Sequence, residues 1–220
     1  MPEPAPERHL LVTRFAVPRP VPGTAELYRD PSWLEGRFEL FRRWFVPSVE
    51  RLGVPLVLLC GRAVAETVAA RVADLAWARV EVQDDWRGGF RGATDQTLTR
   101  IDSDDALRGD WFETLDRAPR EARILVTPEF LRYDPRSGRL HRYRRREPSP
   151  LAAFRGGENP YAVDHKHLLA EPGVRALPGA FLLQIVHGGN VSNHPPSPWR
   201  LDRRTSLARL ADYGLSPAEV

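Results

Sequence analysis

Val54-Pro55-Leu56-Val57-Leu58-Leu59-Cys60-Gly61 is an unbroken apolar run opened by proline and closed by glycine. It is too short for a buried helix and too apolar for a half-exposed strand, so it predicts a strand inside a covered sheet. Upstream, Trp33, Leu34, Phe38, Leu40, Phe41, Phe45, Val49 and Leu52 recur at helical spacing with charges between them. That stripe predicts an amphipathic helix over 33–52, kinked or divided at Pro47. Downstream, 63–77 predicts a second amphipathic helix and Arg79 to Val82 a third strand, while His9 to Val17 predicts the first. Strand–helix–strand–helix–strand is the rhythm of a mostly parallel α/β sheet with helical crossovers.

Further along, Gln96 to Ile101 predicts a strand running into Asp102-Ser103-Asp104-Asp105, followed by a helix over Ala106–Leu115. Ile124 to Tyr133 and Leu140 to Arg144 predict two strands joined at Asp134-Pro135-Arg136-Ser137-Gly138, an inserted β-hairpin. Tyr161 to Leu169 predicts a helix, Phe181 to Val186 a last strand, and Asp202 to Tyr213 a short helix stopped by Gly214. The expected organisation is a mobile tail over 1–8, one domain over 9–194, and a Pro-rich segment with a helix over 195–220.

With 220 residues, 42% hydrophobic and 28% charged, the chain is expected to form one globular domain with a sizeable core. No apolar run approaches the roughly 18 residues of a membrane span. The start MPEPAPERHLLV lacks an apolar leader segment, which makes the cytoplasm the expected location. Cys60, the single cysteine, excludes an internal disulfide and a cysteine-based metal site. The net charge of +3 hides an uneven distribution. Between Arg132 and Arg146 lie seven arginines and one acid, so the segment is +6 and the remainder −3. Three readings of it stay open: a solvated Arg-biased hairpin, contact with an anionic substrate, or peripheral contact with the inner face of an acidic membrane. With only Tyr133 and Tyr143 nearby it offers no base-stacking platform, which argues against nucleic acid.

The stretch Thr99-Arg100-Ile101-Asp102-Ser103-Asp104-Asp105-Ala106 carries the strongest chemical signal. Three carboxylates within four positions repel one another unless a cation or helix N-terminus answers them. Strand carboxyl ends are where open α/β sheets bind ligands, and hard oxygen ligands suit Mg²⁺ or Mn²⁺ bridging to phosphates. The plainer alternative is an Asx turn with an N-cap. Arg100 could meet a phosphate bidentately or pair with the neighbouring aspartates.

HLLVTRFAV at 9–17, TRIDSDDAL at 99–107 and QIVHGGNVSN at 184–193 together resemble a rhamnosyltransferase family of GT-A-type, nucleotide-sugar-dependent glycosyltransferases. The helical segment Arg37 to Ser48 fits the same pattern. The resemblance implies a GT-A-like, Rossmann-related fold and a divalent-metal-dependent hexosyltransferase with an Asp-x-Asp motif. It implies Asp102 and Asp104 on Mn²⁺ or Mg²⁺, with Asp102 and Ser103 near the donor and His187 as a further metal ligand beside Gly188, Gly189 and Asn190. By the same resemblance Thr13, Arg14 and Arg100 hold the nucleotide and Asp105 approaches the sugar. Asp164 stands where the acidic base is expected, although Val163-Asp164 replaces the usual Glu-Asp pair, and His165 could serve instead. The implied partners are a nucleoside-diphosphate sugar and a saccharide, lipid-linked or small-molecule hydroxyl acceptor. Two other classes remain open: a two-metal phosphohydrolase or nuclease drawing on Asp84, Asp85, Glu158 and Asp164, and a non-catalytic nucleotide-sugar-binding module.

Overall fold

The computed structural model describes residues 8–144, 147–187, 203–204 and 206–216. In chain order the strands are β1 (His9–Ala16), β2 (Leu56–Cys60), β3 (Ala78–Val82), β4 (Thr97–Arg100), β5 (Ala106–Leu107), β6 (Ile124–Val126), β7 (Glu129–Asp134), β8 (Arg139–Arg144), β9 (Ala152–Arg155), β10 (Val174–Ala176), β11 (Ala180–Ile185) and β12 (Arg203–Arg204). The α-helices are α1 (Thr24–Arg29), α2 (Pro31–Leu40), α3 (Val46–Glu50), α4 (Ala65–Arg71) and α5 (Trp111–Arg117), with 3₁₀ turns at His165–Ala170 and Leu207–Tyr213.

The strands form a seven-stranded sheet ordered β10-β6-β9-β4-β1-β2-β3 and a five-stranded sheet ordered β12-β8-β7-β11-β5. In the first, β3, β2, β1 and β4 run parallel, and β9 is the reversed strand between β4 and β6. The expected α/β class with a mostly parallel central sheet and flanking helices holds. β2 is buried at every residue, as its apolar run requires, and burial pushes the Cys60 thiol up to about 12. Along β1 and β2, Leu11, Phe15, Leu56 and Leu58 share a cluster with Phe38, Phe41 and Phe45 of the long helical segment, Val68 of α4 and Trp111 of α5. The alternate residues Leu10, Val12, Val57 and Leu59 face the other way, towards Tyr161 and, at its edge, Trp86 and Phe90. Loops rather than helices cover that face, and this leaves room for a cavity.

Several local expectations change. Pro47 does not divide the helix: α2 passes through a π-helical turn at Phe41–Phe45 into α3. The wider turn accommodates a proline that cannot donate to the preceding turn. No helix begins at Ala106. Ala106 and Leu107 pair antiparallel with Leu183 and Leu182 of β11, and α5 starts only at Trp111. The apolar run 124–133 is two strands in two sheets, broken at Thr127-Pro128. The helix expected over 63–77 shortens to α4, the region 161–169 supplies a 3₁₀ turn, and the described part of 202–213 supplies β12 and a 3₁₀ turn. The β7–β8 hairpin forms as expected, with Asp134 Oδ1 accepting from Arg136 N at 3.0 Å and Gly138 at φ 60°. It is inserted in the chain between β6 and β9 of the first sheet, and it joins a second sheet with β5, β11 and β12.

Ser48 joins the long helix to that second sheet. Its fully buried Oγ donates to Phe45 O at 2.7 Å and accepts from Leu107 N at 3.1 Å. Ser48→Ala leaves the Leu107 N–H without an acceptor in a dry site. The expected cost is about 1–3 kcal/mol, seen as a lower urea midpoint at unchanged m. A variant with the wild-type midpoint would remove Ser48 from this role.

Candidate functional site

The turn between β4 and β5 sorts the three carboxylates into three environments. Asp104 Oδ2 lies 2.9 Å from Arg37 Nη1 of α2 and 2.8 Å from His187 Nε2 at the end of β11. Burial opposes its ionisation, but Arg37 and His187 outweigh burial and hold the carboxyl well below the usual range. Asp105 is the reverse case. Burial, then the charges of Asp104 and Asp102, push its carboxyl well above the ordinary value, while its Oδ1 accepts from Ile185 N at 3.1 Å. The two buried carboxyls are thus shifted in opposite directions, Asp104 towards the ionised form and Asp105 towards the protonated one. Asp102 lines a cavity instead.

That cavity, about 660 Å³, lies beyond the carboxyl ends of β1 and β4. Six basic side chains line it (Arg14, Arg19, Arg87, Arg100, Arg132 and Lys166) against three acids, Asp102, Glu147 and Asp164. Arg100 is 5% exposed and braces two walls. Its Nε donates to Pro150 O at 3.1 Å, and its Nη1 to Pro160 O at 2.7 Å and Val163 O at 2.9 Å. Burial pushes its guanidinium down to about 10, which still leaves it charged at neutral pH. Its buried Nη2 has no partner among the described residues. Arg14 lies between Trp86, 3.3 Å from the ring centroid, and Tyr161 at 4.2 Å, and donates to Trp86 O at 3.1 Å. Such stacking fixes a guanidinium plane without consuming its donors.

The loops that carry these residues are tied to each other. Asn159 Nδ2 donates to Arg87 O at 3.0 Å and its Oδ1 accepts from Tyr161 N at 3.0 Å, while Tyr161 Oη donates to Val12 O at 3.0 Å. Gly157, at φ 63°, exchanges backbone hydrogen bonds with Gln96 and Gly92, and a Cβ there would run into the Gly92 and Ala93 carbonyls. A second cavity of about 350 Å³ lies at the ends of β1, β2 and β3, lined by Pro18, Tyr28, Gly61 and Asp84 among others.

The structure thus brings Arg14, Arg100, Asp102 and Asp164 to one cavity, and His165 and Lys166 join them. Thr13, Ser103, Asp104 and Asp105 are buried outside its lining, and Arg100 pairs with backbone carbonyls rather than with the aspartates. Asp164 caps the 3₁₀ turn through Lys166 N at 3.1 Å. Gly188, Gly189 and Asn190 lie outside the described residues. The Arg-rich segment is not one surface. Arg132 turns inward and donates to Gln184 Oε1 at 2.8 Å, while Arg142 and Arg144 both face Glu129. Arg37, Trp86 and Tyr161 carry site roles that the motif reading did not supply. Arg37 had a signal, because it sits on the apolar stripe between Leu34, Phe38 and Phe41 where a charge needs a buried partner.

Asp104 and His187 do meet, but their arrangement does not fit a divalent ion. Arg37 already answers the oxygen they share, Asp105 spends Oδ1 on a backbone N–H, and Asp102 faces elsewhere. Hard divalent ions need several convergent oxygens. Among the described residues no cluster of three or more His, Cys, Asp and Glu could supply them.

Opposite titration shifts give a stability test. Below the ordinary carboxylate range near ~4, the Asp105 carboxyl is protonated in both folded and unfolded chains, and the cost of its raised value appears as pH rises. Asp105→Asn, which keeps the acceptor for Ile185, is expected to raise the unfolding temperature at pH 7 but not at pH 3.5. Asp104 contributes above that range and loses its contribution as pH falls towards its depressed value. Asp104→Asn should therefore destabilise at pH 7 and flatten the acid limb of stability. Destabilisation by Asp105→Asn at pH 7 would reverse the assignment.

The sequence matches no protein-family model and no curated protein. Among solved structures, the chain is similar to Staphylococcus aureus TarS 1–349 in complex with UDP-GlcNAc, at 10% identity and a TM-score of 0.41 over 83% of this chain and 59% of that one. It is also similar to the inositol-1-phosphate CTP transferase from T. maritima, at 13% identity and 0.44 over 81% and 89%. A Bacillus anthracis protein described as a glucose-1-phosphate thymidylyltransferase gives 9% identity and 0.45 over 80% and 88%. The chain spans about three fifths of the TarS chain. The likeness is one of backbone course, and the side chains of the cavity are this chain's own.

Proposed function

We propose that this chain is a GT-A-like glycosyltransferase that moves a sugar from a nucleoside-diphosphate donor to a hydroxyl acceptor. The observation that carries this reading is the pair Arg14 and Arg100. They stand near the carboxyl ends of adjacent parallel strands and flank, with Asp102, a cavity rich in guanidinium groups. In this reading the diphosphate lies against Arg14 and the unpartnered Nη2 of Arg100, as phosphate favours planar guanidinium donors. The base and ribose occupy the smaller cavity beside Tyr28 and Asp84, and Asp102 faces the ribose or the sugar. Breaking the bond between sugar and diphosphate needs stabilisation of the leaving diphosphate charge. Arg14, Arg100 and Lys166 supply it here, in place of the Mn²⁺ or Mg²⁺ suggested by the Asp-x-Asp resemblance. Rhamnose is the first donor sugar to try, on that resemblance alone. Saccharide, lipid-linked and small hydroxyl compounds are the acceptors to try.

Three of the four acids of the hydrolase alternative are engaged elsewhere. Asp84 accepts from Arg62 N at 2.7 Å, Asp85 from Arg87 N at 3.0 Å, and Glu158 pairs with Arg123 at 2.8 Å.

Thermal unfolding with UDP, GDP and dTDP, each with EDTA and with Mn²⁺, tests the reading. At least one nucleoside diphosphate is expected to raise the unfolding temperature equally in both conditions. Arg14→Gln should weaken that ligand by about tenfold or more, the worth of roughly 1.5–3 kcal/mol for a hydrogen bond to a charged group. No response to any of the three would overturn the transferase reading, and a response only with Mn²⁺ would overturn its metal-free form.

A further inference from the structure

Asp164 and His165 are neighbours on the cavity wall with different duties. Asp164 Oδ1 is the capping acceptor for Lys166 N at 3.1 Å, and the same oxygen lies 3.2 Å from His165 Nδ1. Burial opposes ionisation of Asp164, but Lys166 N, His165, Lys166 and Arg100 together hold its carboxyl below the ordinary value. A carboxylate so engaged is a poor proton acceptor near neutral pH. His165 has a side chain one third exposed, and it lines the cavity. The charged groups that act on it are Arg100 and Asp102 from the β4 side, and Asp164 and Lys166 from its own turn. Burial and Arg100 lower its titration, and the two aspartates only partly oppose this, so the imidazole is neutral at pH 7. The backbone before it is fixed, because Arg100 Nη1 holds both the Pro160 and Val163 carbonyls.

We infer that His165, not Asp164, takes the proton from the acceptor hydroxyl, with Asp164 as a positioning residue beside Nδ1. The inference rests on the transferase reading above. In a single displacement, the acceptor oxygen forms its bond to the anomeric carbon and its proton passes to His165 Nε2. The bond from that carbon to the diphosphate oxygen breaks, its electron pair leaves with the nucleoside diphosphate, and His165 later releases the proton to water. With Asp164 next to Nδ1, the proton on the resting ring stays at Nδ1 and Nε2 is open to accept.

The test is the pH profile of nucleotide-sugar hydrolysis by the full chain, water standing in for the acceptor, across uridine-, guanosine- and deoxythymidine-diphosphate sugars. His165→Gln is expected to bind the nucleoside diphosphate like wild type, yet lose about 100-fold in rate together with the acidic limb. Asp164→Asn should lose less rate than His165→Gln and move that limb to lower pH, because the carboxylate charge that raises the imidazole is gone. Wild-type rate and limb in His165→Gln, or loss of reaction in Asp164→Asn alone, would overturn the assignment. Proton NMR titration of the His165 ring needs no turnover. A midpoint below 6.5 that falls further in Asp164→Asn supports the pairing, and one that the substitution does not move overturns it. Failure of the wild-type chain to bind any nucleoside diphosphate is a separate result, and it overturns the transferase reading itself.

Discussion

The contact of Asp104 with Arg37 and His187 holds three parts of the molecule at one oxygen. Arg37 belongs to α2 on the helical side, Asp104 to the turn that leaves the first sheet, and His187 to the end of β11 in the second. The chain crosses between sheets at this turn, so its conformation sets how β4 and β5 diverge. A buried ion pair adds little net stability relative to a well-packed apolar substitute, but removal of one partner strands a charge and costs about 3–5 kcal/mol. The triad therefore acts mainly as a constraint on geometry. It also sorts the neighbouring charges, because the charge of Asp104 is, after burial, a cause of the raised Asp105 carboxyl.

Asp102, the remaining carboxylate, is consequently the member of the cluster that reaches the cavity. There it meets a wall organised by Arg100, whose donors brace the segments at Pro150 and at Pro160 to Val163. Three bonds to carbonyls offset the burial of a guanidinium, and the buried Nη2 is left without a partner among the described residues. Loop-borne residues gain the precision of sheet residues in this way, since the bracing side chain projects from a central strand.

Much of this architecture can be read from local pattern. The apolar run of β2, the stripe of α2 and α3, and the Asp-Pro-x-Ser-Gly turn each encode their element within a few residues. Other features depend on pairing across long stretches of chain. Ala106-Leu107 carries a helix-compatible sequence, and only the partner β11 makes it a strand. Ala152-Ala153-Phe154 is short and unremarkable, yet it fills the place between β4 and β6. Thr127-Pro128 divides what reads as one strand, and which sheet each half joins is not a local property. The cluster at 102–105 was legible as a chemical problem of repulsion. Its solution was not, because Arg37 and His187 lie 67 and 83 residues from Asp104.

A site built on guanidinium groups differs in kind from one built on a divalent ion. Arg100, even pushed down to about 10 by burial, keeps its charge throughout the range in which phosphates and imidazoles titrate. The guanidinium part of the cavity's field is then constant near neutral pH. Because the arginine charges are fixed by stacking and carbonyl bonds rather than delivered by an exchangeable ion, discrimination among anions falls to geometry. Arg14 and Arg100 project from two adjacent parallel strands, so the sheet itself sets how these two charges stand to each other.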